Sequence, residues 1–136
     1  MSDATRTTAG GRGLVATVGV PLLVAAGAFA GANLRHVVGI GLGGPVGTLA
    51  ANALGSVLLG VLLYEAHFAG RLSRETRLLL GTGLLSSFTT YSTFVLDAVT
   101  ATPAVAVGYV LASYGLGFAG VLLGRWIARR WAGGVT

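Results

Sequence analysis

Charged residues divide the chain into long apolar stretches. No Asp, Glu, Lys or Arg occurs between Arg12 and Arg35, between His36 and Glu65, between Arg77 and Asp97, or between Asp97 and Arg125. Each stretch has room for a helix of roughly 20 residues, the length that crosses about 30 Å of hydrocarbon. The pattern predicts four transmembrane helices over residues 14–34, 46–64, 78–99 and 104–127, an all-α membrane domain spanning residues 14–130, and a disordered polar tail over residues 1–13. A cleavable signal peptide would produce a run like the first. This run is longer than a usual signal core, however, and carries Gly27 and Gly31 at helix-packing spacing. The segment Gly39-Ile-Gly41-Leu-Gly43-Gly44-Pro45 reads as a loop, with Pro45 suited to the first turn of the second span.

Composition sharpens this picture. The 136 residues are 54% hydrophobic and only 10% charged, with a mean hydropathy of +0.81, against about 25% charged in an average globular chain. A chain this short has too little polar surface to hide such runs in one water-soluble core, which disfavours a soluble enzyme. All nine basic residues are Arg, set against the four acids Asp3, Glu65, Glu75 and Asp97 for a net charge of +5. The arginines punctuate apolar runs, as at the ends of membrane spans, and do not gather into a patch with base-reading groups. Nucleic acid is therefore not an expected partner. With no cysteine, thiol chemistry and Cys-ligated zinc are excluded.

Gly39, Gly41 and Gly44 fit the dinucleotide fingerprint G-x-G-x-x-G. That fingerprint needs a preceding strand and a βαβ unit, for which the space between two spans has no room. The other small-residue pattern has a physical use. Gly27 and Gly31, Ala51 and Gly55, Ser113 and Gly117, and Gly120 and Gly124 are each four apart, a spacing that lets helix backbones approach closely in lipid.

Candidate chemistry is concentrated in the third span. Residues 86–93 hold the hydroxyl residues Ser86, Ser87, Thr89, Thr90, Ser92 and Thr93, with the phenol of Tyr91 among them and Asp97 further on. At helical spacing Thr90, Thr93 and Asp97 share one stripe and Tyr91 and Phe94 a neighbouring one. Hydroxyls at mid-membrane either tie helix to helix or line a pathway and take the place of water around a small ion. Asn52, mid-span in the second helix, favours the pathway, because an unsatisfied amide in lipid is costly; it could equally join two helices. His36 and His67 lie at span ends, and nothing pairs them into a metal site. An enzyme is disfavoured, since no nucleophile has a plausible base beside it.

These residues resemble the Fluc/CrcB fluoride channels over nearly the whole chain. Residues Gly27 to Arg35 resemble that family's glycine-rich first-helix motif ending in Arg, with Ala28 where a second Gly is usual. Residues Gly47 to Gly55, including Asn52, match the second-helix motif. Thr89-Thr90-Tyr91-Ser92-Thr93-Phe94 followed by Asp97 is similar to the third-helix signature, with Tyr91 for a usual Phe and Asp97 for a usual Glu. Tyr109, Ser113 and Gly117 fit the fourth helix more loosely.

The resemblance implies a passive channel in the cell membrane through which fluoride leaves the cell, relieving its toxicity. It implies an antiparallel dimer with two pores, a third helix broken mid-membrane and a structural Na+ at the dimer centre. The fluoride pathway would comprise Asn52, Tyr91, Ser92, Thr93, Phe94, Tyr109 and Ser113, with Thr48, Thr90 and Asp97 as a polar track. Arg35 would draw anions into a vestibule, although an interfacial anchor also explains it. The two rings at Tyr91 and Phe94 would present partly positive edges to the anion, and ordinary core packing is the alternative. The backbone carbonyls of Ser86 and Thr89 would hold the sodium. Ser86 and Ser87 stand where the family commonly has glycines, which removes backbone freedom from the turn. Asp97 is expected to accept a hydrogen bond from Thr93 or from a neighbouring helix, or to be protonated.

Two other membrane functions compete. Small four-helix multidrug exporters resemble one another in a first-helix Glu, and the first span here has no acid. A non-conducting assembly subunit would not need the hydroxyl track. Orientation follows from charge. With an even number of spans both termini share one side, together with Arg6, Arg12, Arg71, Arg74, Arg77, Arg125, Arg129 and Arg130, and the other side has only Arg35. Arginine favours the cytoplasmic side, so both termini are expected inside. A fixed orientation within an antiparallel dimer would call for a related chain of opposite charge bias, and hence a heterodimer.

Overall fold

The structure, a computed structural model, describes residues 4–133, with side-chain surroundings from residue 19 to residue 132. It is all-helical among these residues. Helix α1 spans Ala4–Leu42 and α2 spans Gly44–Tyr64, continuing into a wider π-helical turn, π1, over Glu65–Ala69. After a short loop come α3 (Arg74–Arg77), a second π-helical stretch π2 (Leu78–Leu85), α4 (Ser86–Phe88), α5 (Tyr91–Thr100) and α6 (Pro103–Gly133). Among the described residues, three helical stretches are long and apolar enough to cross a membrane: Gly19–Leu42, Gly44–Ala69 and Pro103–Ala132. The region expected as the third span, over residues 78–99, is divided among π2, α4 and α5. Of the polar tail expected over residues 1–13, residues 1–3 lie outside the described residues, and only a helical backbone path is described from Ala4 onward.

The glycine-rich loop expected over residues 39–45 is corrected by the structure. Helix α1 runs on through Gly39 and Gly41 to Leu42, and only Gly43 separates it from α2. The Gly43 amide donates to the Gly39 carbonyl at 2.9 Å, and the Gly43 carbonyl accepts from Gly47 at 3.1 Å. Gly43 and Gly44 have φ of +69° and +46°, a left-handed path that only glycine adopts without strain. Glycine here turns the chain within one residue and so leaves no loop. Pro45 falls in the first turn of α2, where its missing amide hydrogen is not needed.

Two close helix pairs make the bundle. Helix α2 lies along α6, and α1 lies along π2 and α4. Small residues set both contacts. A side chain on Gly31 would run into the Leu84 carbonyl, one on Gly27 into the Leu79 carbonyl, and one on Gly124 into the Val57 carbonyl. The spacings Gly27/Gly31 and Gly120/Gly124 read from the sequence are therefore backbone contacts, whereas Gly55 and Gly117 face the side chains of Thr89 and Ser56. The turn after α2 is closed by Glu65, which accepts from the Leu72 amide and lies 3.5 Å from the Arg77 guanidinium. Arg77 in turn donates to the Leu72 carbonyl at 3.0 and 3.2 Å.

Candidate functional site

The helical backbone stops after Phe88. Thr89 (φ −82°, ψ 157°) and Thr90 (φ −146°, ψ 126°) are extended before α5 begins at Tyr91. Such a break exposes backbone polar groups that in an apolar setting must find partners. Asn52 supplies them from α2. Its Nδ2 donates to the Thr90 carbonyl at 2.9 Å, and its Oδ1 accepts from the Thr90 amide at 2.8 Å. One side chain thus satisfies both backbone groups of the same residue. The Thr90 hydroxyl then caps α5, accepting from the Thr93 amide at 3.3 Å, donating to the Thr93 hydroxyl at 3.1 Å and lying 3.3 Å from that of Ser92. On the other side of the break, the Thr89 amide and hydroxyl both donate to the Leu85 carbonyl at 3.0 Å.

These hydrogen bonds bear on the carbonyls of Ser86 and Thr89. In a continuous helix the Ser86 carbonyl would accept from the Thr90 amide and the Thr89 carbonyl from the Thr93 amide. The first of these amides donates to Asn52 and the second to the Thr90 hydroxyl. Both oxygens are thereby released from the helical pattern. No non-glycine residue among those described has a positive φ, so Ser86 and Ser87 occupy positions that do not require glycine. The Ser86 hydroxyl is engaged with the Thr82 carbonyl and lies 3.3 Å from that of Gly83.

Two cavities meet at Thr90, which lines both. One, a groove of about 530 Å³, brings together Asn52, Tyr91, Phe94 and Ser113, with Tyr114 and Phe118 of α6 as further walls. The other, about 440 Å³, gathers Arg35, His36, Thr48, Thr93 and Asp97. Of the residues expected in one pathway, the structure divides Asn52, Tyr91, Phe94 and Ser113 from Thr93. Ser92 lines neither cavity and is exposed in the single chain, its hydroxyl beside that of Thr90. The Tyr109 hydroxyl donates to Asp97 Oδ2 at 3.2 Å, so the partner expected for Asp97 comes from α6 and not from Thr93. The stripe of Thr90, Thr93 and Asp97 converges on one cavity even though Thr90 stands outside the helix.

Phe94 is only 8% exposed and forms the hub of an aromatic cluster, with ring centroids 5.7 Å from Tyr91, 5.5 Å from Tyr109 and 6.1 Å from Tyr114. Tyr91 is 72% exposed in the single chain and forms the open wall of the groove. Ser113 Oγ is buried without a hydrogen-bond partner, a donor left available beside the rings. Sequence reasoning missed Tyr114, Phe118 and the second role of Asn52. The two aromatics stand four apart on α6, a helical spacing that could have been read as one face. The Asn52 contact joins residues 38 apart, which no local spacing reveals.

A family profile described as CrcB-like protein, Camphor Resistance (CrcB), matches residues 22–125. The chain is similar to the fluoride-specific ion channel FluC 1 of Haloarcula marismortui, with 53% identity over 118 residues covering 87% of this chain and 92% of the relative. It is 49% identical over 120 residues to the fluoride-specific ion channel FluC 2 of Halobacterium salinarum, covering 82% of this chain and 94% of the other. A fluoride-specific ion channel FluC of Roseiflexus sp. is 43% identical over 118 residues, covering 79% and 95%.

Proposed function

The chain belongs to the CrcB-like family, and from that membership we infer that it is a membrane protein acting as a fluoride-specific ion channel, not an enzyme. In this reading fluoride moves passively out of the cell. The observation that carries it is the groove in which the rings of Tyr91 and Phe94 stand beside Asn52 and the unpartnered Ser113 hydroxyl.

Fluoride is small and holds its water tightly, so a pathway must offer donors and partly positive ring edges in exchange. Arg35 attracts anions to the cavity it shares with Thr48 and Thr93. Asn52 has a second amide hydrogen beyond the one given to Thr90, and Ser113 has a free hydroxyl. Asp97, whose charge would repel an anion, is turned to the Tyr109 hydroxyl. Tyr109 thus shields the acid, and Thr90 and Ser92 shape the break between the cavities. Reconstituted in liposomes, together with its partner chain where one is needed, the protein discharges a fluoride gradient, followed by electrode, and leaves a chloride gradient intact; chloride leakage at a comparable rate refutes this reading.

The functional unit is an antiparallel dimer in which each chain crosses the membrane four times, the third crossing broken at Thr89 and Thr90. Tyr91, Tyr114 and Phe118, all exposed in the single chain, support a partner against the groove. The carbonyls of Ser86 and Thr89 suit a hard cation such as Na+, because their usual helical donors are engaged elsewhere. Bound there, such an ion supplies fixed positive charge at the dimer centre.

Tyr91→Phe keeps the ring edge and removes only the hydroxyl, which makes no hydrogen bond among the described residues. Its fluoride efflux is expected to stay within about twofold of wild type, since exposed changes without partners have effects near 0.5 kcal/mol. A folded but silent Tyr91→Phe would make the phenol an essential ligand. The arginine asymmetry places both termini in the cytoplasm and fixes one orientation, so the dimer pairs this chain with a relative of opposite bias. Terminal reporters on the chain expressed alone should register one orientation, without fluoride rescue of an exporter-deficient cell. Full rescue with both orientations detected refutes the heterodimer.

A further inference from the structure

Asn52 touches the groove and the helix break at once, and its two hydrogen bonds differ in what they do. The bond from Nδ2 to the Thr90 carbonyl consumes one donor that would otherwise face the groove. The bond from the Thr90 amide to Oδ1 removes that amide from the Ser86 carbonyl four residues earlier. Without the Oδ1 acceptor, the Thr90 amide has a ready alternative. A rotation of the Thr89 and Thr90 backbone returns it to the Ser86 carbonyl and continues α4 by one residue, because an unpaired amide in an apolar setting is driven to the nearest acceptor. The Ser86 oxygen would then be committed to the helix.

We propose that Asn52 is a positioning residue for the cation site as well as a lining residue of the anion groove: its Oδ1 holds the Thr90 amide away from the Ser86 carbonyl and so keeps that oxygen available to a monovalent cation. The proposal rests on the reading of Ser86 and Thr89 as cation ligands. Local geometry supports it on two further counts. Gly55, one turn after Asn52, is packed against the Thr89 side chain, so α2 and the break are held in register. Ser56 donates to the Asn52 carbonyl at 2.9 Å, adding a second tie within the same turn. Asn52 also lies between small neighbours, with Ala51 fully buried, so its side chain has a fixed base from which to reach Thr90.

The experiment is the thermal unfolding midpoint of the full-length protein, purified together with its partner chain where one is needed, titrated with NaCl against N-methylglucamine chloride at constant ionic strength. Wild type is expected to rise in midpoint with Na+, as any ligand bound only by the folded state requires. Asn52→Ala should need at least about tenfold more Na+ for the same rise, the change expected from one lost polar partner. Asn52→Asp retains the acceptor for the Thr90 amide but sets an oxygen in place of the Nδ2 donor against the Thr90 carbonyl, so it should respond to Na+ at lower concentration than Asn52→Ala while its fluoride efflux falls with the loss of the amide donors. Ser113→Ala, in the groove but away from the break, should keep the Na+ response. An unaltered Na+ response in Asn52→Ala overturns the proposal. If Asn52→Ala does not assemble, Asn52→Asp decides alone, and a lost response in that variant overturns it. Wild type with fluoride efflux but no Na+ response also overturns the proposal and leaves the channel intact. A Na+ response without fluoride efflux refutes the channel and leaves the positioning role standing.

Discussion

Gly31→Val is expected to leave no assembled protein to assay. A side chain at Gly31 would enter the space of the Leu84 carbonyl and the Phe88 amide, which are backbone atoms of π2 and α4. Where neighbouring side chains can yield, overpacking costs about 1–3 kcal/mol. Backbone cannot rotate away, so α1 would have to part from π2 and α4 along its length, at a cost above about 3 kcal/mol. That separation would also draw Phe88 away from its buried seat and disturb the adjoining break. Gly39→Ala is the matched control, because a methyl group there meets nothing within 4 Å. Size-exclusion profiles and thermal midpoints of the two variants check the prediction. A monodisperse Gly31→Val with a wild-type midpoint would mean that α1 does not rest on π2 and α4 as described.

Phe94→Ile should fold and lose most of its fluoride efflux. Phe94 packs against Tyr91, Tyr109 and Tyr114, and each aromatic pair contributes about 0.5–1.5 kcal/mol beyond its buried area. Isoleucine fills much of the volume but has no ring edge, so stability is expected to drop by about 1–3 kcal/mol, within what a small domain tolerates. Efflux should fall at least about tenfold, the factor that corresponds to losing one such contact along the ion's path. Electrode traces from liposomes containing equal amounts of folded wild type and variant make the comparison. Wild-type rates in Phe94→Ile would reduce the rings to core packing.

The apolar runs made the unbroken helices legible. The start of α2 was expected at residue 46 and lies at Gly44, and the start of α6 was expected at residue 104 and lies at Pro103. The end of α1 was not legible, because Gly39, Gly41, Gly43 and Gly44 look alike in sequence while only the last two have a left-handed backbone. Glycine density signals either a turn or a close contact, and local pattern does not separate the two. At the site, the run of hydroxyls marked a polar track, the break in the third helix came only from the family resemblance, and the apolar surroundings of Asn52 marked a need for partners. Neither could name Thr90 as that partner. The pairing depends on α2 and the third span lying side by side, which is a property of the bundle. Asp97 shows the same division: its need for a donor was readable, and the choice of Tyr109 depended on how α6 returns.

The one-residue turn at Gly43 also governs how this protein enters a bilayer. Helices α1 and α2 have no slack between them, so neither can choose its side independently. They are expected to insert as a single helical hairpin, one choice of direction serving both. The contacts across the turn are close in sequence, the kind that form early in folding. A tag or epitope inserted there would separate two helices that are expected to travel together. Protein engineers seeking an internal reporter site should therefore leave Gly43 and Gly44 untouched.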